Sequence, residues 1–350
     1  MSPFEQLQKR AGKEWPAIVA ARLHATEKVT ILSRVLGDAA PADESIVVFG
    51  SIARGESTSG SDLDWCLLLD GPSNPAHFPL LEKIREKIEQ TPGLILAEPG
   101  SGGLFGNMCN SHELIHLIGG NDDTNPNLTR RILLLLESLP ISNELVHQRV
   151  VRQVIERYIT LPPRANEADR RSKGEPRFLI NDIVRYWRTV AVDYAQKEWA
   201  QNSHKWALRN AKLRLSRKLL FASGLLLCYK VGSMAKQTLP PGLTIAQWMA
   251  QCCYDQTRIK PIDRICDELL SSGNMPTVVK IFDSYDWFLK LLDDPERRKY
   301  LETLPSSKAK NDQVFNEVRK IGDEFFDGLR TMFFRDSDPL RQFIEEYGVF

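Results

Sequence analysis

The chain has 350 residues, of which 42% are hydrophobic and 26% are charged, a balance typical of a globular protein with a sizeable core. Its 46 basic and 45 acidic residues give a net charge of +1, so no overall field favours nucleic acids or membranes as partners. The longest apolar stretch, residues 219–231, is too short to span a bilayer. The start of the chain is polar and lacks a signal-peptide pattern. We therefore expect a cytoplasmic protein that binds no membrane.

Six cysteines are scattered without any CxxC pair, which favours reduced and mostly buried thiols over disulfides.

Hydrophobic periodicity and turn residues predict a first part that mixes helices and strands. Helices are predicted over residues 1–37, 80–89, 112–118 and from residue 127 onward, with Ser111 as an N-cap. Strands are predicted over residues 45–49, 62–69 and 94–97, and residues 100–106 form a loop. Beyond residue 177 nearly every segment has helical spacing.

Residues 161–176 are rich in proline and charge, with almost nothing apolar to bury. This composition is typical of a linker or surface loop, and we place the domain boundary there. The sequence therefore predicts one domain over residues 1–160, which includes the N-terminal helix, and a helical domain over residues 177–350.

The most informative stretch is residues 49–69, FGSIARGESTSGSDLDWCLLL. A strand enters Gly50-Ser51, where the glycine permits close approach of an anion and the Ser51 hydroxyl can hold phosphate oxygens. Asp62 and Asp64 then lie two apart at the start of an apolar strand, so that both carboxylates face the same side. Two carboxylates beside a phosphate cradle suit Mg²⁺, which prefers oxygen ligands and bridges to substrate phosphates.

This stretch resembles the signature of the DNA polymerase β-type nucleotidyltransferase superfamily. The pattern GSxARGE followed by SDxD is present, including Arg54-Gly55-Glu56 and Ser61-Asp62. The resemblance implies an α+β fold, with a small mixed-sheet nucleotidyltransferase domain followed by a mainly helical one. It also implies that Asp62 and Asp64 bind Mg²⁺ or Mn²⁺. Gly50 and Ser51 would hold a nucleoside triphosphate such as ATP, and Arg54 and Ser61 add candidate contacts to it.

Residues 111–138 are more loosely similar to the region after the active site in the uridylyltransferases that modify PII proteins. Enzymes of the superfamily usually carry a third carboxylate on a following strand, where it often acts as a general base. Glu98 is the best candidate for it. Glu113 belongs to the predicted short helix and Asp122-Asp123 to a turn.

Two later helical stretches have basic faces. Asn181, Arg185 and Arg188 share one face of the first stretch. In the second, the polar face is opposite an apolar stripe, and it consists of Lys205, Arg209, Lys212 and Ser216. These cations could bind phosphate, with Lys212 the candidate contact to the triphosphate, or they could form solvated faces or internal ion pairs.

The sequence predicts a metal-dependent enzyme that moves a nucleoside monophosphate from an NTP to an acceptor hydroxyl and releases pyrophosphate. The acceptor is a protein, RNA, a nucleotide or a small molecule, with protein or RNA slightly favoured by the basic helices. One alternative is a catalytically inactive nucleotide-binding regulatory module of the same fold. Another is a zinc hydrolase, because His112, Glu113 and His116 match the HExxH spacing.

Overall fold

The computed structural model describes residues 1–96, 103–160, 174–200 and 205–348. Four short strands form one sheet: β1 (Glu44–Phe49), β2 (Asp64–Leu69), β3 (Asn107–Asn110) and β4 (Ser138–Pro140). Their order across the sheet is β3-β2-β1-β4. The β1 strand pairs antiparallel with β2 and β4, whereas β2 pairs parallel with β3. The predicted α+β fold with a small mixed sheet is therefore confirmed.

The prediction of a third strand over residues 94–97 is wrong for residues 94–96. Within residues 94–96 only Leu96 forms a bridge, to Leu63, and residue 97 lies outside the described residues. The strand that pairs with β2 is β3, with the sequence NMCN. A four-residue edge strand with two asparagines has no apolar alternation, so hydrophobic periodicity does not reveal it.

The single helix predicted over residues 1–37 is two helices, α1 (Pro3–Ala11) and α2 (Pro16–Leu36). The break comes at Gly12, which caps α1 in the left-handed conformation at φ 59°. A proline then starts α2 four residues later. Trp15, between the helices, is buried and its Nε1 donates to Asp283 Oδ1 at 2.8 Å.

Further helices flank the sheet. They are α3 (Gly50–Arg54), α4 (His77–Glu89), α5 (Ser111–His116), α6 (Asn125–Leu136) and α7 (Glu144–Thr160). The predicted helix near residue 112 is therefore confirmed, but Asn110 is its N-cap and Ser111 its first residue.

The rest of the described chain is mainly helical, with short connecting segments between the helices. Its helices are α8 (Arg177–Ala200), α9 (Trp206–Lys212), a π-helix (Leu213–Arg217), α10 (Lys218–Ala235), α11 (Ile245–Thr257), α12 (Pro261–Ser272), α13 (Met275–Asp293), α14 (Pro295–Thr303), α15 (Ser306–Ala309), α16 (Gln313–Phe334), α17 (Asp338–Phe343) and a second π-helix (Ile344–Gly348). This mainly helical second part was predicted.

One core runs through much of the fold. It joins apolar residues of α1 and of the start of α2 to the inner faces of α10–α14 and α16, and it includes Phe4, Trp15 and Phe282. A second cluster covers the other face of the sheet and contains Leu63, Trp65 and Ile84. All six cysteines are free and buried. Most of the predicted linker, residues 161–173, lies outside the described residues, so the domain boundary stays a prediction.

The helical stretch Trp206–Ala235 is long and apolar enough, by length and composition, to cross a membrane. About 67% of its most apolar window is buried inside the fold, as expected of a central core helix.

Candidate active site

The site forms at one end of the sheet because of the strand pairing. Phe49, the last residue of β1, pairs with Asp64, the first residue of β2, and with Ser138, the first residue of β4. The residues next to these pairs, Gly50 on α3 and Glu137 before β4, therefore lie at the same end of the sheet as Asp64.

Two features require a glycine at position 50: its backbone conformation and the closeness of the Asp64 side chain. Its φ is +69°, in the left-handed region that disfavours side chains. A Cβ atom at this position would lie 2.8 Å from Asp64 Oδ2, closer than packed atoms approach. The turn into α3 thus brings the backbone of Gly50 directly against the Asp64 carboxylate.

Asp62 and Asp64 both line the cleft at this end of the sheet, while Leu63 and Trp65 between and after them are buried in the core. Burial and the neighbouring charge of Asp62 raise the pKa of Asp64 to about 6, against the lowering effect of Arg217. A raised carboxyl pKa means that the ionised pair is costly unless a cation compensates it.

The cleft collects residues from the sheet end, from the helix that contains Lys212 and from the later helices α13 and α14. Its lining residues are Gly50, Ser51, Arg54, Glu56, Ser61, Asp62, Asp64, Lys212, Ser216, Arg217, Phe288, Leu289, Leu292 and Arg298. The predicted residues Gly50, Ser51, Arg54, Ser61, Asp62, Asp64 and Lys212 are thus all brought together in one cleft.

Arg54 is held by carboxylates of the protein itself. Its Nε donates to Glu56 Oε2 at 2.7 Å and its Nη1 donates to Glu137 Oε2. Arg217 Nη1 donates to the other Glu137 oxygen at 3.0 Å, and the Tyr285 hydroxyl donates to Glu56 at 2.8 Å. Two arginines and two glutamates therefore neutralise each other in a buried network. Because its guanidinium is bound by these glutamates, Arg54 stabilises this end of the sheet, and contact with a ligand is at most its second role.

Glu137 is a further carboxylate at this end of the sheet, although it does not line the cleft, and sequence reasoning missed it. It directly follows the apolar run of residues 133–136, where it reads as the next residue of a helix. Its side chain is buried, and its charge acts on Asp64. The favoured candidate, Glu98, lies outside the described residues.

The other candidates for the third carboxylate do not line the cleft either, whereas Glu56 does. Glu113 lies on α5, and the exposed Asp122 precedes α6. Asp123 accepts hydrogen bonds from Arg131, at 3.1 and 2.9 Å, and from Arg185 at 2.9 Å. These contacts hold α6 and α8 together away from the cleft.

Ser61 shapes the loop that presents Asp62. Its hydroxyl accepts the backbone N–H of Thr58 at 2.9 Å, and its carbonyl accepts Lys28 Nζ at 3.1 Å. Lys28, on α2, is buried, and its pKa is lowered by burial and raised by Asp62. The loop before Asp62 is therefore fixed from both sides.

A π-helix places three polar side chains in the cleft. Lys212, Ser216 and Arg217 all line it, although positions i, i+4 and i+5 of an α-helix do not share one face. The wider turn of residues Leu213–Arg217 resolves this mismatch, as π-helical segments at functional sites often do. Lys212 was predicted from helical spacing. Arg217 was not, because the local sequence gives no signal for a π-helical turn.

The other predicted basic positions lie elsewhere. Arg185 is bound to Asp123, and with Asn181 and Arg188 it borders a separate groove of about 330 Å³ on α8. Neither Lys205 nor Arg209 lines the cleft. The internal ion pair left open for Arg185 is thus the outcome, with Asp123 as its partner.

The rings of His112 and His116 contact each other, with centroids 4.8 Å apart, and both side chains are exposed. Within the described part of the chain, no three His, Cys, Asp or Glu residues gather as a metal site. The HExxH spacing therefore lacks a third described ligand. The Asp62–Asp64 pair likewise offers only two carboxylates, so a Mg²⁺ ion there would need phosphate and water oxygens as its other ligands.

A strand, a Gly-Ser turn and a carboxylate pair on the next strand, facing a cleft with cations, define a site suited to a nucleoside triphosphate. Residues 29–97, about a fifth of the chain, match the family described as the nucleotidyltransferase domain. This part of the chain is therefore a nucleotidyltransferase domain, in agreement with the resemblance to the DNA polymerase β-type superfamily. Searches of curated proteins and of solved structures each found no match.

Proposed function

We propose that the protein transfers a nucleoside monophosphate from an NTP to an acceptor hydroxyl, with a divalent metal ion and with release of pyrophosphate. The observation that carries this proposal is the contact between the Gly50 turn and the Asp64 carboxylate, with Asp62 beside it in the same cleft. The nucleotidyltransferase domain supports nucleotidyl transfer as the general activity.

The carboxylate pair fits a divalent cation. Asp62 and Asp64 provide hard oxygen donors. Burial, and after it the charge of Asp62, raises the pKa of Asp64, and a cation would relieve both costs. When bound, Mg²⁺ or Mn²⁺ would neutralise phosphate charge and favour ionisation of the acceptor hydroxyl. The two aspartates would hold it from the protein side.

The remaining groups orient the substrate. Ser51 and the Gly50 backbone would bind phosphate oxygens at the end of β1, and Lys212 would neutralise charge that develops on the leaving pyrophosphate. In the reaction, a bond forms between the acceptor oxygen and the α-phosphorus. The bond from that phosphorus to the bridging oxygen breaks, and pyrophosphate leaves. The acceptor proton passes to a base or to solvent.

A second candidate function is nucleotide binding without transfer. The specific observation behind it is that Glu137, a buried carboxylate at the sheet end, is already bound by Arg54 and Arg217. Both oxygens of this carboxylate already accept hydrogen bonds from arginines, so the carboxylate is not positioned to take a proton from an acceptor hydroxyl.

Transfer with an α-³²P-labelled NTP, Mg²⁺ or Mn²⁺ and a cell extract tests the proposal and identifies the acceptor class. We expect label in protein, RNA or a small product from the wild type, and none from the Asp62→Ala, Asp64→Ala double variant. Asp70→Asn, at the opposite end of β2 and paired with Arg149, is the matched control and should retain transfer. Nucleotide binding that depends on the aspartates, without transfer to any acceptor, would support the binding module.

A further inference from the structure

Arg298, on α14, is the residue lining the cleft that lies farthest in sequence from the nucleotidyltransferase domain. It lines the cleft with Asp62, Asp64 and Lys212, and its side chain is only 13% exposed. The helix α14 packs against α9, which ends at Lys212, and the backbone N–H of Lys205 donates to Glu302 O at 3.0 Å. Two cations from neighbouring helices therefore enter the same cleft.

The position of Arg298 is fixed by the loop that leads to Asp62. A Cβ atom at Gly60 would lie 2.9 Å from Cδ and from Nε of Arg298, so the arginine side chain rests directly on the backbone of this glycine. Just before α14, Asp293 Oδ1 accepts the backbone N–H of Ser59 at 2.9 Å, and Asp293 O accepts the Ser59 hydroxyl at 3.2 Å. These contacts fix the position of the loop relative to α14.

The charge of Arg298 is weakly balanced. Its one ion pair within the described residues is a 3.4 Å contact from Nε to the partly exposed Glu302. Its side chain forms no shorter polar contact to any residue in the ranges that the structure describes, and its backbone N–H donates to Asp294 O within the helix. Its field also lowers the pKa values of Lys212 and Lys28, after the larger effect of burial on each, so the three cations are close together.

The balance of charges in the cleft indicates the ligand. Arg54 and Arg217 are neutralised by Glu56 and Glu137. A divalent ion would neutralise Asp62 and Asp64, and this leaves Lys212 and Arg298 facing the cleft without full compensation. A ligand with several negative charges satisfies them, and planar guanidinium groups bind phosphate through two parallel hydrogen bonds.

We propose that Arg298 binds the phosphates beyond the α-phosphate of the nucleotide, and so selects triphosphates over monophosphates. The inference rests on the proposed function, because it needs the nucleotide in this cleft. Gly60 is the positioning residue for Arg298, since it alone leaves room for the arginine side chain to lie against the loop.

Calorimetric titration with ATP, GTP, CTP and UTP and with the four matching monophosphates, in Mg²⁺, tests this inference. For the NTP that binds wild type, we expect Arg298→Ala to weaken binding at least tenfold and to change monophosphate binding less than twofold. Arg298→Lys should recover part of the loss. Arg297→Ala is the matched control, because Arg297 is half-exposed on the same helix and should leave both affinities within twofold.

Gly60→Ala gives an independent test that keeps the charge. Its methyl group displaces the Arg298 side chain and should cause the same selective loss of NTP affinity. Equal losses for NTP and monophosphate, or no loss in Arg298→Ala, would overturn the inference while the proposed function stands. If the wild type binds no NTP, although it and Arg298→Ala are both folded and melt at the same temperature, the proposed function and this inference fail together.

Discussion

The buried network around Glu137 yields a prediction on stability. Glu137→Gln keeps the shape of the side chain but removes the charge that faces both Arg54 and Arg217. Glu56 still faces Arg54, whereas no second carboxylate is paired with Arg217 among the described residues. Removing one partner of a buried ion pair costs about 3–5 kcal/mol, because it leaves a buried charge uncompensated.

The size of the expected change follows from the chain length. Unfolding entropy of about 2.1 cal/mol/K per residue gives roughly 0.7 kcal/mol/K for a chain of this length. A loss of about 3–5 kcal/mol then lowers the melting temperature by about 4–7 °C for one cooperative transition. Differential scanning calorimetry at pH 7 measures this shift.

The matched control is Glu156→Gln, an exposed glutamate on α7, which should change the melting temperature by less than about 1 °C. Surface substitutions scatter by roughly 1 °C in melting temperature. If Glu137→Gln melts within about 1 °C of this control, the network around Glu137 does not stabilise this end of the sheet.

Two further predictions concern Gly50 and His147. Gly50→Ala and Gly242→Ala both place a side chain at positive φ, for about 1–2 kcal/mol of strain each, but only the first meets Asp64 Oδ2. Isothermal titration should therefore show NTP binding lost in Gly50→Ala and kept in Gly242→Ala, and equal binding would refute the role of the turn. Burial, with Arg258 nearby, lowers the pKa of His147 from 6.5 to about 4, so the unfolded chain takes up the proton first. Stability is complete above pH 6.5 and falls between pH 6.5 and 4, by about 3 kcal/mol at most, and urea unfolding of His147→Gln should show this loss removed.

Much of the cleft could be predicted from twenty residues of sequence. A strand into Gly50-Ser51 and the alternation from Asp62 to Asp64 are local patterns, and local patterns are what sequence periodicity records. Lys212 was placed by helical spacing alone, since the apolar stripe of its helix defines the opposite face.

The residues that were missed depend on contacts distant in sequence. Glu137 lies beside the site because β4 pairs with β1. Lys28 contacts the loop before Asp62 from α2, and Arg298 reaches the cleft from α14. Arg217 needed the π-helical turn to reach the cleft. Arg54 matched a signature, yet the two glutamates that bind it are placed by tertiary structure. Residue spacing along the sequence does not encode these tertiary contacts.

In the proposed reaction, the bond between the α-phosphorus and the bridging oxygen breaks in this cleft. Phosphorus NMR of the products, formed from an NTP and acceptor extract with Mg²⁺, measures this directly. We expect pyrophosphate in an amount equal to the nucleoside monophosphate transferred, and neither product in the Asp62→Ala, Asp64→Ala variant. Nucleoside diphosphate with inorganic phosphate, formed in an aspartate-dependent manner, would show cleavage at the γ-phosphorus and would rule out nucleotidyl transfer as the reaction of this cleft.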